Sequence, residues 1–198
     1  MFAFFSHRKP LALVLCLFAG ACLNEPRVAD LSPPSFRDKP QIMLEVADVR
    51  VRNDYVPRGG TVEGRFPTSP AQGVEIWAQD RLKAVGTSGL LEVVIQDASV
   101  TEKPLPVKSG IEGALTKEPN IRYDGTLEVS LNLYTPERAI AKTHADARVN
   151  VSRELLEKTS ESERRELFAA MTREMMSKLD TQLDHSIHEY FAGYIANN

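Results

Sequence analysis

From Gln41 onward apolar residues occupy alternate positions, Ile42, Leu44 and Val46, and then resume in the opposite phase at Val49 and Val51. Alternation is the mark of a half-buried strand, and the change of phase predicts a bulge near Ala47-Asp48. Residues 52–66 hold Pro57, Gly59, Gly60 and Gly64 without any period and predict a loop. At Ser69-Pro70-Ala71-Gln72 a hydroxyl precedes a proline, and a Gln follows three residues after the Ser, which together start a helix. Val74, Trp77, Ala78, Leu82 and Val85 then recur on one helical face, with Gly86 as the stop. Leu90 to Val100, with Val93-Val94-Ile95 consecutive, reads as a more fully buried, central strand.

Residues 101–120 contain Pro104, Pro106, Gly110, Gly113 and Pro119 and predict a second irregular stretch, within which Ile111 to Leu115 could form a short strand. Leu127, Val129, Leu131 and Leu133 alternate with polar residues, and after a turn at Thr135-Pro136-Glu137-Arg138 the alternation resumes from Ala141 to Val151. That is an antiparallel hairpin. Ser160-Glu161-Ser162-Glu163 opens a helix whose stripe runs Leu167, Met171, Met175, Leu179, Leu183, Ile187, Tyr190, Phe191 and Tyr194. At 1.5 Å per residue it would reach about 50 Å, past the end of any strand. The order predicts an α+β fold, a β-α-β-β-β-α two-layer sandwich. A four-stranded mixed sheet has its first two strands parallel through the helical crossover, the last three as a meander, and both helices on one face. Residues 41–198 form one domain, with no internal repeat.

The N-terminus follows other rules. His7-Arg8-Lys9 is cationic, and Leu11 to Ala21 is an apolar run of eleven residues, the make-up of a secretory signal and too short to span a bilayer. Ala19-Gly20-Ala21 places small side chains directly before Cys22. Cleavage after Ala21 leaves 177 of the 198 residues and a net charge of −5, because Arg8 and Lys9 leave with the signal. Of the two cysteines, Cys16 lies in the removed segment, so Cys22 would stand alone in an oxidising compartment, where an acylated thioether is inert and a free thiol is not. An ordinary signal peptide cut after Ala19-Gly20-Ala21 fits the same residues, and the cysteine count favours lipidation. Residues 22–40, with Pro26, Pro33, Pro34 and Pro40, read as the lipid-bearing Cys and a flexible tether.

The group Ala19-Gly20-Ala21-Cys22 resembles a bacterial lipobox, with Ala19 where Leu is commonest. By similarity to Gram-negative lipoproteins, Leu23 rather than Asp after the Cys implies the outer membrane, facing the periplasm. The element order behind this group, with Arg81 to Gly86 leading into Leu90-Leu91-Glu92-Val93, resembles small outer-membrane lipoproteins of the LptE-like (lipopolysaccharide-assembly), YajG-like and ABC-transport-auxiliary kinds. What the resemblance implies is an accessory protein of envelope assembly or transport. It supplies no binding residues.

Composition and candidate chemistry narrow the function further. With 24 Lys+Arg against 27 Asp+Glu, a pI near 5.9 and no basic cluster beyond Arg164-Arg165, the footprint of a nucleic-acid binder is missing. Asp180, Asp184 and His188 stack at i, i+4 and i+8 and could hold a metal, yet His185-Ser186-Ile187-His188-Glu189 matches neither orientation of the zinc-protease helix motif. The expectation is a solvated helix face, with no metal and no cofactor. Gly86-Thr87-Ser88-Gly89 lacks the last Gly of a nucleophile elbow, and Gly59-Gly60-Thr61 lacks the Lys of a phosphate loop. His144 falls in the polar phase of its strand with no nucleophile to activate. Residues that could contact a partner are Tyr190, Phe191 and Tyr194, if the helix overruns the sheet, and Trp77, though core is its first reading. The leading expectation is a non-enzymatic, lipid-anchored adaptor with a protein partner in the envelope. The competitors are a carrier of lipid or another amphiphile, with a cavity beneath Trp77 and the methionines, and an envelope hydrolase.

Overall fold

The computed structural model describes residues 29–106, 119–137, 140–156 and 158–196. The expected signal segment with Ala21 and Cys22, and the optional strand at 111–115, lie outside the described residues. Seven strands and two helices follow in the order β1 (Ile42–Leu44), β2 (Asp48–Asn53), α1 (Pro70–Arg81), β3 (Leu82–Ala84), β4 (Leu90–Asp97), β5 (Val100–Pro104), β6 (Ile121–Tyr134), β7 (Thr143–Leu155) and α2 (Glu161–Tyr190). The fold is α+β, with the helices packed on a mixed sheet.

The sheet is built on β6. One edge of β6 pairs antiparallel with β7 over thirteen continuous positions, from Ile121 opposite Leu155 to Leu133 opposite Thr143. Its other edge is shared, β4 taking Glu128 to Tyr134 and β5 taking Ile121 to Gly125. β4 and β5 are therefore one bent strand, interrupted by the register shift at Ile95 to Asp97. β2 lies parallel to β4 on the outside, as the crossover through α1 requires. Four strand positions result, β2, β4 with β5, β6 and β7, which is the sheet expected from the pattern. The strand reaches further than the apolar run, because Val100 to Pro104 continues the ladder with mostly polar side chains and places Pro104 at its end.

Two boundaries differ from expectation. The first strand is not bulged but divided: β1 leaves the main sheet and pairs parallel with β3 in a separate two-stranded ribbon, Ile42 opposite Leu82 and Leu44 opposite Ala84. α1 accordingly ends at Arg81, not Gly86, and Val85 is 43% exposed. Leu82 fits both a helix period from Val74 and Ala78 and a strand pairing with Ile42, so periodicity could not separate the two. Gly86 has a different task. A Cβ there would lie 2.5 Å from the Glu45 carbonyl carbon and 2.7 Å from Val46 N, where the chain passes against its own backbone.

Odd-numbered residues of β6 and β7 from Tyr123 to Leu133 and Ala145 to Val151 are buried, and both helices lie on that side. Tyr123 meets Phe168 edge-on at 5.0 Å, and Phe66 stacks on Phe168 at 4.2 Å, closing one end of the core. Met171 and Met175 pack over Gly125, and Met176 packs over Gly73, so the absence of side chains at these glycines lets the helices seat closely. Both helix starts carry reciprocal capping boxes, Ser69 with Gln72 and Ser160 with Glu163.

α2 does not overrun the domain. After Tyr190 the chain turns back, and Phe191 is fully buried. Leu44 bridges Ile195, Glu45 N donates to the Tyr194 carbonyl at 2.7 Å, and Ala196 N to that of Met43 at 2.9 Å. The C-terminal residues thus cover the β1–β3 ribbon instead of projecting beyond it. At the other terminus, the described residues 29–40 of the stretch expected to be a flexible tether lie against the helices, with Pro34 and Phe36 buried.

Candidate functional site

α1 ends with Trp77 and Arg81 one turn apart, and α2 faces them with Asp180 and Asp184, also one turn apart. The carboxylate of Asp180, 2% exposed, accepts from Trp77 Nε1 at 2.8 Å, Arg81 Nε at 2.8 Å and Lys39 Nζ at 2.6 Å. Arg81 spans the gap: its other nitrogens bond Asp184 and the Pro40 carbonyl. Burial disfavours the charge on Asp180, but the donors Lys39, Trp77 and Arg81 together hold its carboxyl below the ordinary value. His188 Nδ1 lies 2.8 Å from the Asp184 carbonyl oxygen, and its ring stays on the exposed side. Asp180, Asp184 and His188 do line one face, as their spacing predicts, but the cation among the two carboxylates is the Arg81 guanidinium.

This cluster fastens the N-terminal segment. Phe36 N donates to Asp80 Oδ2 at 2.9 Å, and Arg37 pairs with the same carboxylate at 3.3 Å. Further back, Arg173 of α2 donates to the carbonyls of Asp30 and Ser32 at 3.3 and 3.0 Å and pairs with the Asp30 carboxylate at 3.3 Å. The sequence showed the acidic and His residues of this face. It gave no sign of Arg81 as their partner, since an Arg in the last turn of a helix is ordinary.

A second polar centre holds the loop after β2. Glu63, 7% exposed, accepts from Tyr55 Oη at 2.7 Å, Thr61 Oγ1 at 2.9 Å and Val100 N at 3.2 Å. Burial, with the bond to Glu63 second, pushes the Tyr55 phenol up to about 12. Val62 N also donates to the Val100 carbonyl at 2.8 Å. The aperiodic loop is thereby fixed to β5, while Val56 near its tip is 72% exposed. No sequence period flags a carboxylate that binds only neutral donors.

The side of the sheet away from the helices is polar. Its outward positions carry polar pairs: Arg52 of β2 with Glu92 of β4 at 3.0 Å, Lys103 of β5 with Asp124 of β6 at 2.9 Å, Arg122 with Asp124 along β6 at 2.8 Å, and Thr126 of β6 with Asn150 of β7 at 3.1 Å. Val94, an apolar residue there, is 3% exposed between its register neighbours Arg52 and Ser130. His144 is exposed on this face.

Of the residues considered for partner contact, Trp77 and Phe191 are fully buried and Tyr194, within the returning tail, is half-buried. Tyr190 is 54% exposed, with its carbonyl bonded by Thr143 Oγ1 at 3.2 Å. The space beneath Trp77 and the methionines is packed: a Cβ on Gly73 would already come within 2.8 Å of Met176.

No family model matches the chain, and no curated protein matches it in sequence. Among solved structures, it is similar to rare lipoprotein B of Shewanella oneidensis, at 10% identity and TM-score 0.37 over 72% of this chain and 97% of that one. A minor lipoprotein of Acinetobacter baumannii gives 6% identity and TM-score 0.38, over 70% and 93% of the two chains. Lipoprotein B of Nitrosomonas europaea gives 11% and 0.38, over 79% and 96%. Likeness of this degree assigns neither a site nor a partner.

Proposed function

We propose that the protein is an envelope lipoprotein, anchored through acylated Cys22 in the outer membrane with its domain in the periplasm, and that it acts without catalysis as an adaptor or accessory subunit of a larger assembly or transport machine. The observation that carries this reading is the lone Cys22, set behind Ala19-Gly20-Ala21 and an eleven-residue apolar run. Two or three acyl chains, at about 0.8 kcal/mol per buried CH₂, give the stable anchoring that one chain does not. The buried polar clusters around Asp180 and Glu63 spend their hydrogen-bonding capacity on fastening chain segments inside the domain. A carrier needs an apolar cavity beneath Trp77, and that volume is filled by Met176 and its neighbours.

The test is palmitate labelling of the protein in its own cells, followed by crosslinking and identification of what copurifies, with Cys22→Ala alongside. The reading expects label on the wild type, none on the variant, and a defined partner that is lost with the anchor. Membrane association and mobility unchanged in Cys22→Ala would remove the anchor. Recovery of the labelled protein alone would remove the adaptor.

A further inference from the structure

β7 (Thr143–Leu155) is an outer strand of the main sheet, paired along one edge with β6. Thr126 N donates to the Ser99 carbonyl, so the even residues of β6 turn their backbone groups toward β4 and β5, and the odd ones toward β7. The register sets odd residues of β6 opposite odd residues of β7, from Ile121 with Leu155 to Leu133 with Thr143. The even residues of β7 therefore aim N–H and C=O away from the sheet. Among the described residues, no backbone group takes up those of His144, Asp146, Arg148 and Asn150. The next outward carbonyl, that of Ser152, already accepts from Arg153 Nη1 at 2.9 Å. The open edge thus runs from 144 to 150, with Ala147 at its midpoint.

An open strand edge pairs with another chain unless something blunts it. β7 contains no proline, lysine or glycine, and its ladder with β6 continues without a bulge. There is also room beside it. A groove of about 570 Å³ is lined by the consecutive residues Lys142 to Asp146, from both faces of the strand, and by exposed Tyr190.

We propose that two copies of the chain meet at this edge, β7 against β7, antiparallel about a two-fold axis at Ala147. In that register Asp146 of each copy lies opposite Arg148 of the other, and His144 lies opposite Asn150, so the whole open edge is paired and none of it is left over. Each Arg148 then stands between Glu128 of its own sheet, 3.6 Å away, and Asp146 of the other copy. The charges select this register. An axis at Asp146 or at Arg148 sets like charges directly opposite each other, which is unfavourable, and one at Ala145 brings Lys142 opposite Arg148. An axis at Val149 needs the Ser152 carbonyl that Arg153 occupies. The occupant is a second copy because the pattern is complementary to itself about one residue, a symmetry that a foreign strand would not require. This inference needs neither the lipid anchor nor the adaptor role.

The test exchanges the two charges. The full-length protein is purified in a large molar excess of detergent matched in density to the buffer, and its mass is read by sedimentation equilibrium. The wild type should weigh two chains. Asp146→Arg sets Arg opposite Arg148, and Arg148→Asp sets Asp opposite Asp146, so each variant alone should dissociate at least about tenfold more readily. Mixed in equal amounts, the two variants are complementary again and should regain the mass of two chains, which an unfolded chain could not do. Circular dichroism of each variant accompanies the masses. Should either lose its fold, His144→Pro takes its place, because the N–H it removes faces out of the sheet and serves only the pairing between copies. It should also lower the mass to one chain.

A wild type that weighs one chain, alone or bound to a different polypeptide, would overturn the proposal. A dimer unaffected by the folded variants would place the contact elsewhere. Folded single variants that dissociate but do not recover on mixing would overturn the register centred on Ala147.

Discussion

Replacing Asp180 by Leu tests whether the Asp180 cluster holds α1, α2 and the N-terminal segment at 30–40 together. The carboxylate is 2% exposed and serves three donors, one of them the guanidinium of Arg81, itself only 5% exposed. Leucine has a similar size, so the cavity term is small. The main loss is an Arg81 cation left buried with one carboxylate fewer, and removing one member of a buried pair costs about 3–5 kcal/mol. In a chain of this length each kcal/mol corresponds to about 2–4 °C, so the melting temperature should drop by roughly 6–20 °C. Adding Arg81→Met removes the stranded charge. Only the Trp77 N–H is then left buried without its acceptor, at about 1–3 kcal/mol, since half-exposed Lys39 returns to water. The double variant should thus be more stable than Asp180→Leu alone. Urea denaturation of the chain from residue 22 onward, with Cys22→Ala as common background, measures all four corners of the cycle. A single-variant loss under about 1 kcal/mol, or a double variant whose loss equals the sum of the singles, would refute the reasoning.

The parts of the fold that were legible in the sequence are those where one rule acts alone. The β6–β7 hairpin shows strict alternation because one sheet face is covered by helix and the other is wet, and the two capping boxes announced both helix starts. What escaped was decided by chain segments distant in sequence. Leu82 could continue a helix or begin a strand, and the choice was made by Ile42, forty residues earlier, offering a strand to pair with. Asp180, Asp184 and His188 were visible as a row, but their partners Arg81, Trp77 and Lys39 come from an unrelated helix and from the N-terminal segment. The Pro-rich composition of 22–40 suggested a tether because composition reports how poorly a segment packs on itself. Pro34 and Phe36 pack on something else.

Other expectations follow from the same contacts. Gly86→Ala should destabilise by about 1–3 kcal/mol or more in urea titrations, because its Cβ meets backbone atoms of Glu45 and Val46 that cannot yield. Gly73→Ala should cost less, since its near neighbours, Met176 Cγ and Sδ, are side-chain atoms of an unbranched residue and not backbone. A smaller loss at Gly86 than at Gly73 would contradict this. The Ser152 hydroxyl, Arg122 and Lys103 hold the Asp124 carboxyl well below the usual carboxylate range. Its folded value lies under its unfolded one, so the stability it contributes is complete above about pH 4 and declines as the pH falls further. Asp124→Asn should therefore flatten the loss of urea midpoint between pH 4 and pH 2, and an unaltered slope would show that the cluster contributes nothing.

Arg81 shows why the fold and the attachment of the N-terminal segment are one problem. A helix C-terminus leaves carbonyls without partners, and a buried end needs its polar groups satisfied. Here the last residue of α1 extends a cation away from its own helix, to Asp180 and Asp184 on α2 and to the Pro40 carbonyl at the foot of β1. The chain that leaves the helix at Leu82 then pairs with the strand that Pro40 introduces. Helix end, ribbon and N-terminal segment are consequently closed by one set of contacts, so loosening any of them should loosen all three. Asp180→Leu should therefore raise amide exchange in the β1–β3 ribbon and at Phe36 together, while leaving the β6–β7 ladder protected. Exchange that rises uniformly across the domain would mean that the cluster contributes only to global stability and that the N-terminal segment is not separately held.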